Sequence, residues 1–204
     1  MLNRTSLKII NKTIQKNPNW KVLDIGCGYT ANQNATIIAD AQDLSNFYTE
    51  KNFVQVKEKV LPFKNKEFDF VIASHVIEHV EDFEFFIKEL ERISSKGYIE
   101  LPSRLGDNLV FENKKDHIWW FLFDDFKHEL IASKKNQLID PFITVSMMKK
   151  IDQMFRESLI IELYWEDKIN YRIDEALKMN NLEKITFFKI FKKFISKKFR
   201  TFLR

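Results

Sequence analysis

The sequence predicts an α/β fold built on a largely parallel sheet. Three observations predict it: short apolar runs alternate with amphipathic helical segments, the first strong run ends in a two-glycine turn, and no uncharged stretch is long enough to span a bilayer. The chain has 204 residues, 45% of them hydrophobic and 14% aromatic, which is enough for one substantial core and excludes a wholly disordered protein.

The first half of the chain supplies the elements of this sheet. Leu7, Ile10 and Ile14 repeat at helical spacing and predict a first helix over residues 6–16. Five apolar runs bounded by polar or turn residues predict strands at 21–25, 35–39, 53–56, 68–73 and 98–101.

The clearest helix is predicted between the last two of these strands. Asp82 is placed to cap it, apolar residues repeat at spacings of 3 and 4 as far as Ile93, and Gly97 follows as a stop. Strand and helix therefore alternate, so we expect a Rossmann-like sheet with helices on both of its faces.

The second half of the chain predicts a C-terminal elaboration of the same domain. Its expected features, in order, are a polar loop (104–116), a hairpin (117–123 with 130–133), a methionine-rich helix packed into the core (147–159) and an antiparallel strand pair (161–165 with 169–173). We therefore expect one domain over residues 1–180 and a tail over 181–204.

The tail carries the basicity of the chain. The formal net charge is +4, but residues 184–204 hold eight bases and no acid, so the remainder sums to −4. Phe188, Phe191 and Ile195 recur at helical spacing and predict an amphipathic helix. Such a helix suits an anionic membrane surface, and the alternatives are docking on the protein's own body or on a partner. Nucleic acid is disfavoured because the aromatic residues share one face.

The two-glycine turn, Gly26-Cys27-Gly28, is the first candidate for a ligand site. It ends a strand, where open α/β sheets bind ligands, and glycine lets a ligand approach the backbone closely. A dinucleotide pyrophosphate site would need a long crossover helix next, but the following strand begins too soon. Asp24 instead suits a ligand with a cationic amine, and S-adenosylmethionine is one such ligand. A simple structural turn is the other interpretation.

Four segments in the same order resemble the motifs of the class I S-adenosylmethionine-dependent methyltransferases. They are Val22–Gly28, Ile37–Asp40, Glu67–Asp82 and Lys96–Ser103, and together they span about residues 20–103. The resemblance implies S-adenosylmethionine as the cofactor, with the ribose hydroxyls held by the acid that ends the second strand. The cofactor-binding residues implied are Asp24, Gly26, Cys27, Gly28, Asp40, Leu61 and Ser74.

The short interval between Asp24 and Asp40 is similar to a subgroup with a reduced first crossover helix that is associated with polysaccharide biosynthesis. This resemblance implies O-methylation of a sugar on a polysaccharide or lipid-linked glycan. Aromatic rings stack well on sugars, so we expect His117, Trp119 and Trp120 to bind the acceptor. Because neighbouring residues of a strand point to opposite faces, at most one of the two tryptophans is expected to meet it.

A hydroxyl acceptor needs a base, because an alcohol is a poor nucleophile until its proton is being removed. His75, Glu78 and His79 follow the fourth predicted strand on the ligand side of the sheet. We expect His79 to be the base, with His75 second and Glu78 orienting either of them; helix capping is the structural alternative. The same residues spell an inverted zinc-protease motif, but that motif lies within a helix. We therefore predict no metal.

Two departures from the family pattern keep other functions open. Thr30 replaces the third small residue of the first motif, and Lys57 replaces an acid that usually meets adenine. The alternatives are a non-catalytic methyltransferase-like scaffold in a glycan-assembly complex, or a methyltransferase acting on RNA or a small molecule. The single cysteine and the absence of an apolar leader predict a cytoplasmic location, peripheral to the inner membrane face if the tail binds lipid.

Overall fold

The computed structural model describes residues 1–174 and 183–202. The strands it describes are β1 (Leu2–Arg4), β2 (Val22–Ile25), β3 (Ile37–Asp40), β4 (Asn52–Gln55), β5 (Phe70–Ser74), β6 (Lys96–Pro102), β7 (Trp119–Asp124), β8 (Glu129–Lys134), β9 (Ile160–Glu166) and β10 (Tyr171–Ile173). The helices it describes are α1 (Leu7–Gln15), α2 (Phe83–Ile93), α3 (Arg104–Leu109), α4 (Asn113–Asp116), α5 (Val145–Leu159) and α6 (Phe187–Phe202), and a single 3-10 turn covers Ile77–His79.

Seven strands form the central sheet in the order β1-β9-β6-β5-β2-β3-β4. The five from β6 to β4 pair in parallel, whereas β9 pairs antiparallel with both β6 and β1. This arrangement confirms the predicted α/β, Rossmann-like fold. Strand β2 has β3 on one side and β5 on the other, so the strand order reverses there, which is where open α/β sheets bind ligands.

Helices cover both faces of the sheet, as predicted. On one face α2 buries its apolar stripe, including Phe83, Ile87 and Leu90, in the main core. On the other face α1 buries Ile10 and Ile14 in a second core. Ser6 caps α1 and Asp82 caps α2, each accepting a hydrogen bond from a backbone N–H of the first turn.

The connection from β2 to β3 is short and contains turns but no helix over residues 26–36. This confirms the reduced first crossover. It also removes the helix N-terminus on which a pyrophosphate would rest, which argues against the dinucleotide interpretation.

The C-terminal elaboration differs from prediction in two places. The hairpin is confirmed as β7 and β8, but the polar stretch before it folds into α3 and α4, where Ser103 caps α3. The predicted pairing of 161–165 with 169–173 is wrong, because β9 inserts between β6 and β1 while β10 pairs in parallel with β8. Strand β1 has only three residues and was not predicted.

Two local interpretations are also corrected. Gly97 does not stop α2, which ends at Ile93; it lies in β6, where a Cβ would come within 2.4 Å of the Val71 carbonyl oxygen. Helix α5 is confirmed, but two of its three methionines lie outside the core, because Met147 is 50% and Met154 76% exposed. Only Met148 and Leu159 are buried on this helix.

The tail is helical, as predicted, and residues 187–198 of α6 are exposed except for Lys189, which is half-buried. Phe188 is 73% exposed, and Phe191 and Phe194 are each 56% exposed. The predicted boundary at residues 180 and 181 lies outside the described residues. Among those described, no helix combines the length and the apolar character needed to cross a bilayer.

Candidate functional site

The glycine loop leaves the carboxyl end of β2 in a conformation that requires glycine. Gly26 has a φ of +69° and Gly28 a φ of +49°, both in the left-handed region. A Cβ on Gly26 would lie 2.1 Å from Val76 Cγ2, so close packing adds to the backbone requirement. A Cβ on Gly28 would meet no heavy atom within 4 Å, so the space beside Gly28 is open.

Asp24 lies in β2 and is 5% exposed. Burial raises the pKa of Asp24 to about 6, although its Oδ2 accepts a hydrogen bond from Asn32 N at 2.7 Å, which opposes the rise. No lysine or arginine in the described part of the chain lies within ion-pairing distance of this carboxylate. A cationic ligand would therefore stabilise its ionised form.

Asp40 ends β3 and is tied to the glycine loop. Its Oδ2 accepts a hydrogen bond from Gly28 N at 2.8 Å, and its Oδ1 accepts one from Gln42 N at 2.9 Å. Tyr48 closes the other side of the loop by donating its hydroxyl to Gly28 O at 2.8 Å. The loop and both acids thus form one connected unit.

Two adjoining cavities meet at this unit. One has a volume of about 480 Å³ and the other about 540 Å³, and both are lined by Gly26, Gly28, His75 and His79. All seven predicted cofactor residues line one cavity or both: Asp24, Gly26, Cys27, Gly28, Asp40, Leu61 and Ser74. The second cavity is closed by apolar side chains, including Val56, Leu61 and Phe86, that form a slot suited to a flat ring.

Cys27 lines the first cavity but has no nucleophilic character. Its side chain is buried, and this burial, with Asp24 and Asp40 nearby, raises the pKa of the thiol to about 12. Cys27 is therefore a thiol at neutral pH, which disfavours a role as nucleophile.

His75 is held between two carboxylates. Its Nδ1 donates to Glu78 Oε1 at 3.2 Å and its Nε2 to Glu100 Oε1 at 3.1 Å. The side chain is 44% exposed, and partial desolvation of the ring opposes its protonation, but the hydrogen bonds to Glu100 and Glu78 raise the pKa of His75 to about 10. The ring is an imidazolium at neutral pH, so His75 is a poor candidate for the base.

His79 retains a free ring nitrogen. Its Nδ1 donates to the carbonyl oxygen of Asp116 at 2.9 Å, which leaves Nε2 available as an acceptor at the cavity wall. Glu78 beside it is fully buried and bonds His75 rather than His79. The structure therefore favours His79 over His75 as base, and Glu78 as a group that orients His75.

His117 reaches the same cavity from the segment before β7. Its side chain is 7% exposed, and its Nδ1 donates to Asp107. Asp107 also pairs with Lys135 Nζ at 2.8 Å, and although burial raises the pKa of Asp107, His117 and Lys135 together lower it below its ordinary value. The sequence analysis missed Asp107 and Lys135, because only the tertiary fold places them beside His117.

Trp119 and Trp120 were expected to bind the acceptor, and the structure corrects this. Both are buried and neither lines the two cavities. Trp119 packs against Phe83 and donates its Nε1 to Val80 O, while Trp120 donates its Nε1 to Asp107. Both indole N–H groups donate hydrogen bonds within the protein, so both tryptophans have structural roles.

Comparisons with known proteins bear on this arrangement. Residues 23–99 match the family described as "Methyltransferase domain". A ubiquinone biosynthesis O-methyltransferase of Pelagibacter ubique is 30% identical over 106 residues, which cover 45% of this chain and 44% of that protein. An uncharacterized protein of Methanocaldococcus jannaschii is 28% identical over 134 residues, which cover 59% of this chain and 53% of that protein. The chain spans about half the length of these curated relatives.

Among solved structures, a SAM-dependent methyltransferase from Thermotoga maritima aligns with a TM-score of 0.47 and 16% identity, covering 76% of this chain and 87% of that one. The family match is more informative about the site, since it includes the glycine loop, Asp24, Asp40 and the segment from His75 to His79. Residues 23–99, the part of the chain that builds the cofactor side of both cavities, are thus similar in sequence to a methyltransferase domain.

Proposed function

We propose that this chain is an S-adenosylmethionine-dependent methyltransferase that transfers the methyl group to a hydroxyl oxygen. The observation that carries the proposal is the meeting of two cavities at the glycine loop. One cavity is bordered by Asp40, Leu61 and Phe86, and the other by His79 and His117. A cofactor lying along the loop would have a second molecule beside it, facing an imidazole.

The residues present fit the cofactor. A buried, unpaired Asp24 suits an ammonium group, Asp40 offers carboxylate oxygens to hydroxyls, and the apolar slot of the second cavity suits an adenine ring. The open space at Gly28 admits a ligand close to the backbone. The methyltransferase-domain match indicates S-adenosylmethionine, which when bound supplies an electrophilic methyl group on a sulfonium.

The chain's own part in the reaction is alignment and proton removal. The acceptor oxygen forms a bond to the methyl carbon while the carbon–sulfur bond breaks and its electron pair stays on sulfur. His79 Nε2 accepts the hydroxyl proton as that bond forms. His75, fixed by Glu78 and Glu100, borders both cavities and holds the wall between them in place.

For the acceptor we propose a sugar hydroxyl, on a polysaccharide or a lipid-linked glycan. Polar side chains on the acceptor side, including Glu112, Asp116 and Asp152, offer hydrogen-bond acceptors to a polyol. The name of the Pelagibacter relative, an O-methyltransferase, favours an oxygen acceptor over nitrogen. Because both tryptophans are buried, they are not evidence for a sugar acceptor. The proposal depends on these polar side chains and on the resemblance to the subgroup associated with polysaccharide biosynthesis.

The experiment is a transfer assay with methyl-labelled S-adenosylmethionine and a panel of mono- and oligosaccharides, phenols and amines. We expect labelled product with a hydroxyl acceptor and release of S-adenosylhomocysteine. Transfer only to amines would contradict the oxygen assignment. Cofactor binding without transfer to any acceptor would favour the scaffold alternative.

We also propose that α6 binds an anionic membrane surface. Phe187, Phe188, Phe191 and Phe194 are exposed in the folded chain, and lysines such as Lys192 and Lys193 lie beside them in the helix. Full-length protein should co-sediment with vesicles containing anionic lipid and less with neutral ones. The double variant Phe188→Ser/Phe191→Ser should lose this, whereas Phe126→Ser, at a 98% exposed residue outside the helix, should not. Equal sedimentation of all three would reject the proposal.

A further inference from the structure

Three side chains form a cluster at the wall of the first cavity, which two of them, His79 and His117, line. Glu78, His79 and His117 each offer one ligand atom, and these three atoms lie within 4.8 Å of one another. Nitrogen and oxygen ligands lie about 2.0–2.2 Å from a transition-metal ion, so ligands of one ion are separated by roughly 3–4 Å. The observed limit of 4.8 Å slightly exceeds this range, so the side chains would move closer together when an ion binds.

Both imidazoles are already oriented as metal ligands usually are. His79 Nδ1 donates to the carbonyl oxygen of Asp116, and His117 Nδ1 donates to the carboxylate of Asp107. Each ring therefore keeps its proton on Nδ1 and leaves Nε2 with a free lone pair. Metal-binding histidines typically hold the other nitrogen against a carbonyl or carboxylate in this way, which fixes the ring and its tautomer.

Glu78 supplies an independent sign that something is bound there. Its side chain is fully buried, and its Oε2 has no hydrogen-bond partner among the described residues. Its Oε1 is occupied by His75. An unpartnered carboxylate oxygen in the interior is costly, and a cation would satisfy it.

The fold also fixes the backbone of the three residues. Glu78 and His79 belong to the 3-10 turn after β5, and Ile118 N donates to Glu78 O at 2.8 Å, which locks the segment of His117 against that turn. His79 and His117 both line the first cavity, so an ion bound here would keep open positions facing it.

We propose that Glu78, His79 and His117 bind one divalent transition-metal ion, such as Zn²⁺ or Mn²⁺, at the wall of the acceptor cavity. Two imidazoles and one carboxylate with open positions suit such ions. The role of the ion depends on the proposed methyl transfer: the acceptor hydroxyl oxygen would bind the ion, which lowers the pKa of that hydroxyl, and the proton would leave to solvent water in the open cavity. His79 would then be a ligand rather than the base. The sequence motif behind the prediction of no metal contains His75, Glu78 and His79 but not His117. In the structure, both ring nitrogens of His75 are hydrogen-bonded to carboxylates.

The test is calorimetric titration of the chelator-stripped full chain with ZnCl₂ and, separately, MnCl₂. We expect one equivalent to bind to the wild type with at least one of the two ions. His117→Gln and the isosteric Glu78→Gln should each weaken binding at least tenfold. His128→Asn is the matched control, because His128 lies outside the cluster, and it should bind as the wild type does.

Three outcomes would overturn the metal site: no stoichiometric binding to the wild type, equal binding by both cluster variants, or equal loss in His128→Asn. If His117→Gln does not fold, the metal affinity of Glu78→Gln alone tests the site. Titration of the same samples with S-adenosylhomocysteine separates this inference from the proposed function. If the protein binds that ligand but no metal, the methyltransferase proposal still holds. If methyl transfer is unaffected by a chelator, the ion has no role in the reaction and His79 acts as the base.

Discussion

The imidazole rings of His79 and His117 lie nearly perpendicular, with their centroids 4.5 Å apart. His79 follows the fourth parallel strand, whereas His117 precedes the hairpin of the C-terminal elaboration. The elaboration is thus part of the site, since it supplies one of the three imidazoles that line the acceptor cavity.

His79→Ala should abolish most of the methyl transfer without affecting cofactor binding. Positioned acid–base groups contribute about 10²–10⁴-fold to rate, so we expect a fall of that size in kcat. Turnover is measured by release of S-adenosylhomocysteine, and binding by calorimetry. His128→Asn serves as the control and should retain full activity. A variant with weaker cofactor binding but an unchanged rate would rule out both roles considered for His79.

Asp24→Asn should stabilise the unliganded protein at pH 8 but not at pH 4. The pKa of Asp24 rises from an ordinary 3.8 to about 6 on folding, so the folded state holds the proton more tightly. Stability therefore falls as pH rises from 3.8 to 6 and stays lower above that. At about 1.4 kcal/mol per pH unit, the amide should gain roughly 2–3 kcal/mol at pH 8.

Urea unfolding at both pH values measures this difference. If the Asn variant is less stable than the wild type at pH 8, ionised Asp24 does not destabilise the unliganded protein, which contradicts this account of Asp24. The same ionisation should weaken cofactor binding to the wild type as pH falls below about 6.

Gly26→Ala and Gly28→Ala should separate packing from cofactor access. Both place an alanine at positive φ, which costs about 1–2 kcal/mol. Gly26→Ala should cost more, because its Cβ overlaps Val76 Cγ2, and Val76→Ala should recover part of the loss. Gly28→Ala should fold well and bind S-adenosylhomocysteine less tightly, because Gly28 borders both cavities. Equal destabilisation by the two substitutions, measured in urea, would contradict this account of the loop.

Asp107→Asn should strongly destabilise the protein, because it leaves the buried Lys135 cation unpaired. Removing one partner of a buried ion pair typically costs about 3–5 kcal/mol. Urea unfolding should show a loss of that size, and Asp107→Asn/Lys135→Met should recover much of it. Asp116→Asn, at an exposed carboxylate, should change stability little. If Asp107→Asn leaves the free energy of unfolding unchanged, the Asp107–Lys135 pair does not hold His117 in place.

The sheet was predictable because its strands are continuous apolar runs and its helices have clear caps and periodicity. Strand β9 was assigned to the wrong partner, since its apolar sequence does not reveal that it inserts between β6 and β1. The placement of Asp24, the two glycines and Asp40 near one another was predictable from the resemblance to the methyltransferase motifs, which puts them at the ends of two neighbouring strands.

The acceptor side was much less predictable. Adjacent tryptophans indicated a binding surface, but the fold uses both indole N–H groups for internal hydrogen bonds. Glu100 and Asp107 lie far from the histidines in sequence, and local patterns do not reveal which ring each one holds. Consequently, the choice between His75 and His79 required the tertiary structure.

The central claim is that the glycine loop and its two acids form a cofactor site. Calorimetric titration of the full chain with S-adenosylhomocysteine tests it most directly, with Asp24→Ala and Asp40→Ala as variants and Asp43→Ala, at a nearby exposed acid, as the control. We predict one equivalent bound by the wild type and the control, and at least tenfold weaker binding by both site variants. No binding by a well-folded wild type, or equal binding by all four proteins, would contradict the account.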